Sequence, residues 1–317
     1  MTPKLRIGTR GSKLALAQCG MVQRQIVAAL GYDPAEADAI APLTIITTTG
    51  DRIQDRRLIE AGGKQLFTKE IEDALLRGDI DVAVHSLKDV PADDVPGLVL
   101  CAHPEREDAR DAFVSNLGST IDDLPQGAKL GTASLRRQAQ ALSRRPDLDI
   151  VMVRGNVDTR LRKLDEGQVD ALLLAAAGMN RLDLSARISS YIDPVAYPCA
   201  PGQGALAIQC RTDDAGQDWM TKVHHAATGL CIAAERGALT ALEASCRTAV
   251  GAYATLDGGD LTLFVEALSA DGQTRWQRRA TLAAATIDAK AVEGARQLGL
   301  TLGEAIKAEA GPNLIAI

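Results

Sequence analysis

Short apolar runs alternate with longer stretches in which apolar residues recur every three or four positions, the pattern of β-α-β units on largely parallel sheets. Residues 5–8 read as a strand, 12–30 as a helix, 43–49 as a strand, 68–77 as a helix and 80–84 as a strand. A second series has strands at 112–115, 129–132, 150–153 and 170–174, with helices at 134–144 and 156–166. Gly167 is placed to stop the second of these helices. After one more strand at 205–210 the character changes. An Ala-rich helix over 226–244 leads into alternating strands at 249–256 and 261–268 and a closing helix over 287–310.

The polar stretch 103–110 and the Pro- and Gly-rich stretch 197–204 read as two crossings between lobes. They predict a discontinuous first domain (1–104 with 201–222), a second domain (105–200) and a third (223–317). The fold class expected is α/β: two doubly wound domains around a cleft, plus a small C-terminal α+β domain. Residues 50–64, charged and then Gly-rich at Gly62 and Gly63, read as a mobile loop facing that cleft.

At 317 residues, 46% hydrophobic and 24% charged, the chain has the composition of an ordinary globular protein. Its net charge of -6 argues against a general nucleic-acid binder. Residues 1–7 lack an apolar signal core and no uncharged stretch approaches membrane-spanning length, so a cytoplasmic location without a membrane partner is expected. Nothing in the pattern resembles a large exposed apolar face, and a monomer is expected. Six cysteines are scattered without a Cys-x-x-Cys pair or a histidine at ligand spacing, so neither disulfides nor a metal site is expected.

Against that acidic background, local arginines carry the chemical signal. Ser134 is a natural N-cap, which puts Arg136 and Arg137 at the second and third helical positions. A helix N-terminus already bears partial positive charge, so two cations there point to an anion. Arg154 and Arg160 repeat the layout one strand later, and Arg10 with Ser12 have it near the N-terminus. Arg181, after a run of small residues, adds another charge. Pairing of the first two clusters with Asp147, Asp149 or Asp158 is the bland alternative. Lys88 and Asp89, after the strand at 80–84, can hold an anion and offer a carboxylate for proton transfer, with His85 as a rival acid or base. Cys246, in a loop beside Arg247, is the best nucleophile among the cysteines.

These segments together resemble the porphobilinogen deaminase (hydroxymethylbilane synthase) family along nearly the whole chain. The resemblance lies in Arg10 with Ser12, Gly62-Gly63-Lys64 with Leu66-Phe67, residues 83–91, 106–115, 131–137 and 154–160, Gly202-Gln203-Gly204, and the cysteine loop. It implies that the first two domains are shaped like a periplasmic binding protein and the third carries the cysteine. It implies a transferase that deaminates four porphobilinogen molecules and condenses them head to tail on a dipyrromethane cofactor, then releases hydroxymethylbilane by hydrolysis. The cofactor would be joined to Cys246 through a thioether. Asp89 would be the catalytic carboxylate, stabilising the cation formed as ammonia leaves. Lys88, Thr132, Ser134, Arg136 and Arg137 would hold the cofactor's carboxylates, and Arg10, Ser12, Arg154, Arg160 and Arg181 the substrate or elongating chain. The chain departs from the family pattern at Gln65 and Ala133, where glycine and serine are usual. It also has Ala244-Ser245 in place of a glycine pair and Ala249 in place of a proline.

Two other readings compete. A non-enzymatic two-lobed binding protein for a polycarboxylate would use the same arginines but leaves Cys246 without a role. A cysteine hydrolase would need His224 or His225 to reach Cys246.

Overall fold

The computed structural model describes residues 3–52, 66–243 and 248–314. It divides into two compact units, Met1–Glu107 with Ala205–Gly229, and Asp108–Gly204 with Leu230–Ile317. The strands are β1 (Ile7–Thr9), β2 (Leu43–Ile45), β3 (Val82–Ser86) and β4 (Leu98–Ala102), then β5 (Asp111–Ser115), β6 (Lys129–Gly131), β7 (Asp149–Val151), β8 (Ala171–Ala175) and β9 (Ser190–Tyr191). They continue with β10 (Leu206–Arg211), β11 (Ala249–Asp257), β12 (Asp260–Leu268) and β13 (Arg275–Ala283).

The first unit holds the sheet β2-β1-β3-β10-β4. Its strands β1, β2 and β3 are parallel, and β10 returns antiparallel between β3 and β4. Central strands are apolar on both faces because helices cover both sides. Val82, Ala83, Val84 and His85 of β3 are all buried. The helix Lys13–Ala29 follows β1 and sends Cys19, Val22 and Ile26, three and four residues apart, into the core with Val84 and Ile208.

The second unit repeats this order as β7-β6-β8-β5-β9, with β6, β7 and β8 parallel and β5 antiparallel to β8. Both open sheets are therefore mixed, each carrying one antiparallel strand inside an otherwise parallel arrangement. The antiparallel sheet β11-β12-β13 has its own core, in which Val250, Leu263 and Val265 meet Leu230 and Ala234 of the helix Ala226–Ala241 and Ile306 of the helix Ala289–Ala310. Those two helices approach closely at Gly299, where a Cβ would stand 2.0 Å from the Ala234 carbonyl oxygen.

Several expectations need correction. The strand at 43–49 is shorter, ending at Ile45, and Thr49–Arg52 is a helical turn. The remainder of the expected mobile loop, from residue 53, lies outside the described residues. The strand at 80–84 instead spans Val82–Ser86, which moves Lys88 and Asp89 into a single 3-10 turn, Leu87–Asp89. The Ala-rich helix ends at Ala241. Strands β4, β9 and β13 were not expected. β13 buries only Trp276 among its nine residues, so its apolar alternation is faint.

Candidate active site

The first cluster is set by strand pairing. β1 and β3 are parallel neighbours, with Ile7 opposite Val82 and Gly8 opposite Ala83, so both strands deliver their following residues to the same edge of the sheet. Arg10 and Ser12 follow β1, and Lys88 and Asp89 follow β3. Ser12 caps the helix Lys13–Ala29, its hydroxyl accepting the Ala15 N–H at 3.2 Å. These residues line one recess with His85 and Phe67, about 530 Å³ of space continuous with solvent. Lys88 and Asp89 are exposed within it. In an open recess that they share, Lys88 and Arg10 can bind an anionic substrate while the Asp89 carboxylate faces positive charge as it develops.

Arg10 is held in place by a residue that sequence reasoning missed. Its Nε donates to Oδ1 and Oδ2 of Asp51 at 3.1 and 3.2 Å, and its carbon Cζ lies 4.2 Å from the centre of the Phe67 ring. Burial opposes ionisation of Asp51, but Arg10 and the Thr48 hydroxyl, 2.7 Å away, keep its carboxyl below the usual range. His85 lines the same recess but is buried and held by a neutral partner. Its Nε2 lies 3.0 Å from Gln209 Oε1, and burial pushes its pKa down to about 4. The imidazole is therefore neutral at pH 7 and packed rather than poised to trade protons.

The second cluster forms at the equivalent edge of the other sheet, where parallel β6, β7 and β8 end. Thr132 follows β6, Arg154 follows β7, and the helix Ala176–Arg181 follows β8. Ser134 caps the helix Leu135–Arg144 by accepting the Arg137 N–H at 3.4 Å, and its own N–H donates to Thr132 Oγ1 at 3.2 Å. Arg136 and Arg137 occupy the second and third helical positions and are 4% and 6% exposed.

Part of the anion that this arginine pair calls for comes from within the chain. Asp111, at the start of β5 and opposite Ala175 of β8, accepts Arg136 Nη1 at 2.6 Å and Arg137 Nη2 at 2.7 Å. Burial alone would raise the Asp111 carboxyl, but the charges of Arg136 and Arg137 hold it well below the carboxylate range. The partner is none of Asp147, Asp149 and Asp158; Asp147 pairs with Arg145. Gln203 closes the group, its Nε2 donating to Asp111 Oδ1 at 2.9 Å and its Oε1 accepting Arg137 Nη2 at 3.3 Å. Asp111 and Gln203 lie inside segments that carry the family resemblance, but the chain separates them from the arginines by 25 residues or more, and spacing alone does not pair them.

Two of the remaining arginines bond backbone carbonyls. Arg160 Nε donates to the Gly155 carbonyl at 2.8 Å, and Arg181 Nη2 to the Gly204 carbonyl at 2.7 Å. Arg136 Nε and Arg154 Nη1 are buried and have no hydrogen-bond partner among the described residues. A buried cationic N–H left without an acceptor is costly, so these two atoms mark where an outside anion is wanted. Cys246 lies outside the described residues, as do Gly62, Gly63, Lys64, Gln65, Ala244 and Ser245.

Comparison with known proteins decides the family. A family model described as "Porphobilinogen deaminase, dipyromethane cofactor binding domain" matches residues 5–218, and one for the porphobilinogen deaminase C-terminal domain matches residues 229–308. The chain belongs to the porphobilinogen deaminase family. The porphobilinogen deaminase of Caulobacter sp. (strain K31) is 60% identical over 312 residues, covering 98% of this chain and 98% of its own. That of Caulobacter vibrioides (strain NA1000 / CB15N) is 57% identical over 99% of this chain and 98% of its own. The porphobilinogen deaminase of Phenylobacterium zucineum is 56% identical over the same shares. The donor set of the second cluster fits the cofactor that the family description names, a carboxylate-bearing dipyrromethane, through the two unpartnered nitrogens of Arg136 and Arg154.

Proposed function

We propose that the two strand-edge clusters are the working parts of an enzyme that deaminates porphobilinogen and condenses the units into the linear tetrapyrrole hydroxymethylbilane. As a member of its family the chain is a transferase of porphyrin and haem biosynthesis that uses a dipyrromethane cofactor. Family membership sets aside the non-enzymatic binding protein and the cysteine hydrolase. Cys246 is the proposed point of covalent attachment, on a C-terminal domain of residues 223–317.

Asp89 is the proposed catalytic residue. Its carboxylate sits where it can accept a hydrogen bond from a pyrrole N–H and stabilise the positive charge that develops on the substrate ring as ammonia departs. Lys88 neutralises a substrate carboxylate beside it, and Arg10, steadied by Asp51 and Phe67, holds another, with Ser12 lining the same recess. When bound, the dipyrromethane supplies the free pyrrole carbon to which the first unit is joined. Thr132 and Ser134 offer hydroxyls to its carboxylates, and Arg136 offers Nε while Asp111 retains the rest of its fork. Arg137, whose three nitrogens are occupied by Asp111, Leu173 and Gln203, contributes charge. Arg154, Arg160 and Arg181 are assigned to the growing chain, which gains carboxylates at each addition. A cytoplasmic location belongs to the same reading, supported by free thiols at Cys19, Cys101, Cys199, Cys210 and Cys231. No helix among the described residues is long and apolar enough to cross a membrane.

The observation that carries the catalytic assignment is the delivery of Asp89, Lys88 and Arg10 to one recess by adjacent parallel strands. Asp89→Asn is expected to lower tetrapyrrole release from porphobilinogen by about 100-fold or more, with an unchanged thermal midpoint. Turnover within a few-fold of the parent would remove Asp89 from the mechanism.

A further inference from the structure

Beneath the arginine pair, a buried polar chain runs into the C-terminal sheet. Arg136 Nη1 donates to Gln140 Oε1 at 2.8 Å, and Gln140 Nε2 donates to Glu266 Oε1 at 2.7 Å and to the Pro198 carbonyl at 2.9 Å. Glu266, on β12, is fully buried; its other oxygen accepts Gln277 Nε2 at 2.9 Å and the guanidinium of Arg275. Gln140 faces two acceptors on one side and a cation on the other. Only one orientation of its amide satisfies all three, with Nε2 toward Glu266 and Pro198 and Oε1 toward Arg136. The carboxylate of Glu266 therefore orients Gln140, and Gln140 joins Asp111 and the Pro198 carbonyl in setting the rotation of the Arg136 guanidinium, whose Nε is left for an outside acceptor.

The packing around this chain keeps its ends in register. Ala139, next to Gln140, packs with Ala249 and Leu268 of the C-terminal sheet. The β12–β13 turn closes on the same helix at Gly272, whose φ is +73° and where a Cβ would stand 2.3 Å from the Ala139 carbonyl oxygen. Ala249 begins β11, three positions after Cys246 in the sequence.

We propose that Gln140 and Glu266 are positioning residues for cofactor loading, tying the orientation of Arg136 to the sheet that leads away from Cys246. This rests on the reading that Arg136 holds a cofactor carboxylate. Neither residue touches the reacting atoms; both act through Arg136. Gln277 provides the contrast, since it bonds the same carboxylate from the far side without reaching the arginine.

The test is the rate at which full-length apoprotein, prepared from cells that make no porphobilinogen, gains covalent mass when incubated with porphobilinogen, alongside its thermal midpoint. Gln140→Leu is expected to slow loading at least tenfold and Glu266→Gln to slow it several-fold, whereas Gln277→Leu stays within twofold of the parent. If Gln140→Leu does not fold, Glu266→Gln against Gln277→Leu decides. Equal slowing in Gln140→Leu and Gln277→Leu would reduce the chain to a structural role, and parent-like loading in Gln140→Leu and Glu266→Gln would likewise overturn the proposal. A parent protein that never gains mass would instead overturn the cofactor reading on which the proposal stands.

Discussion

Arg137 places both Nε and Nη2 on a single oxygen of Asp111, Oδ1, at 3.0 and 2.7 Å. Arg136 reaches the other oxygen, Oδ2, through Nη1 at 2.6 Å and Oδ1 more distantly through Nη2 at 3.3 Å, so one buried carboxylate is shared by two buried guanidiniums and offsets one of their two charges. Such a group is poorly replaced by a neutral side chain, because breaking it leaves charge in a medium that cannot solvate it. Asp111→Asn keeps the shape and removes the charge. It is expected to cost about 3–5 kcal/mol of stability, the range for breaking a buried ion pair, read as a lower midpoint in urea. A loss below about 1 kcal/mol, the size of a surface ion pair, would mean that the arginines are balanced elsewhere.

A second prediction concerns pH and comes from the first unit. His85 is fully buried and its pKa falls from the ordinary 6.5 to about 4, so the folded protein resists a proton that the unfolded chain takes up readily. Its contribution to stability is therefore complete above pH 6.5 and is lost as pH falls from there toward 4. Asp111 acts in the same direction but lower, its stabilisation being lost only as pH drops below about 4. Between pH 7.5 and 5 the His85 contribution amounts to about 2 kcal/mol. Replacing His85 with Gln should shrink the difference in unfolding free energy between those two pH values by roughly that amount. An undiminished difference would assign the acid sensitivity to other groups.

Local features were legible from the chain alone, and tertiary ones were not. The cap at Ser134 and the helical positions of Arg136 and Arg137 depend on a handful of adjacent residues, and the structure has them as expected. Asp111 could not be paired with those arginines in advance, because the contact depends on β5 running antiparallel beside β8, a choice made by the whole sheet. The same holds for Asp51 on Arg10, which joins the segment after β1 to the turn Thr49–Arg52. Periodicity located the helix Lys13–Ala29 but missed β13, where a single buried tryptophan carries the apolar signal of an edge strand. Lys88 and Asp89 were found by residue type, whereas their setting in a 3-10 turn followed from a strand end two residues later than apolar content suggested.

The central claim is a covalent, substrate-derived cofactor on Cys246, and intact mass measurement of the denatured protein tests it most directly, with peptide mapping to locate any adduct. An excess mass of two linked pyrrole units on the peptide containing Cys246 is the predicted result. A thiol at Cys246 that stays unmodified after the folded protein has been incubated with porphobilinogen would contradict it.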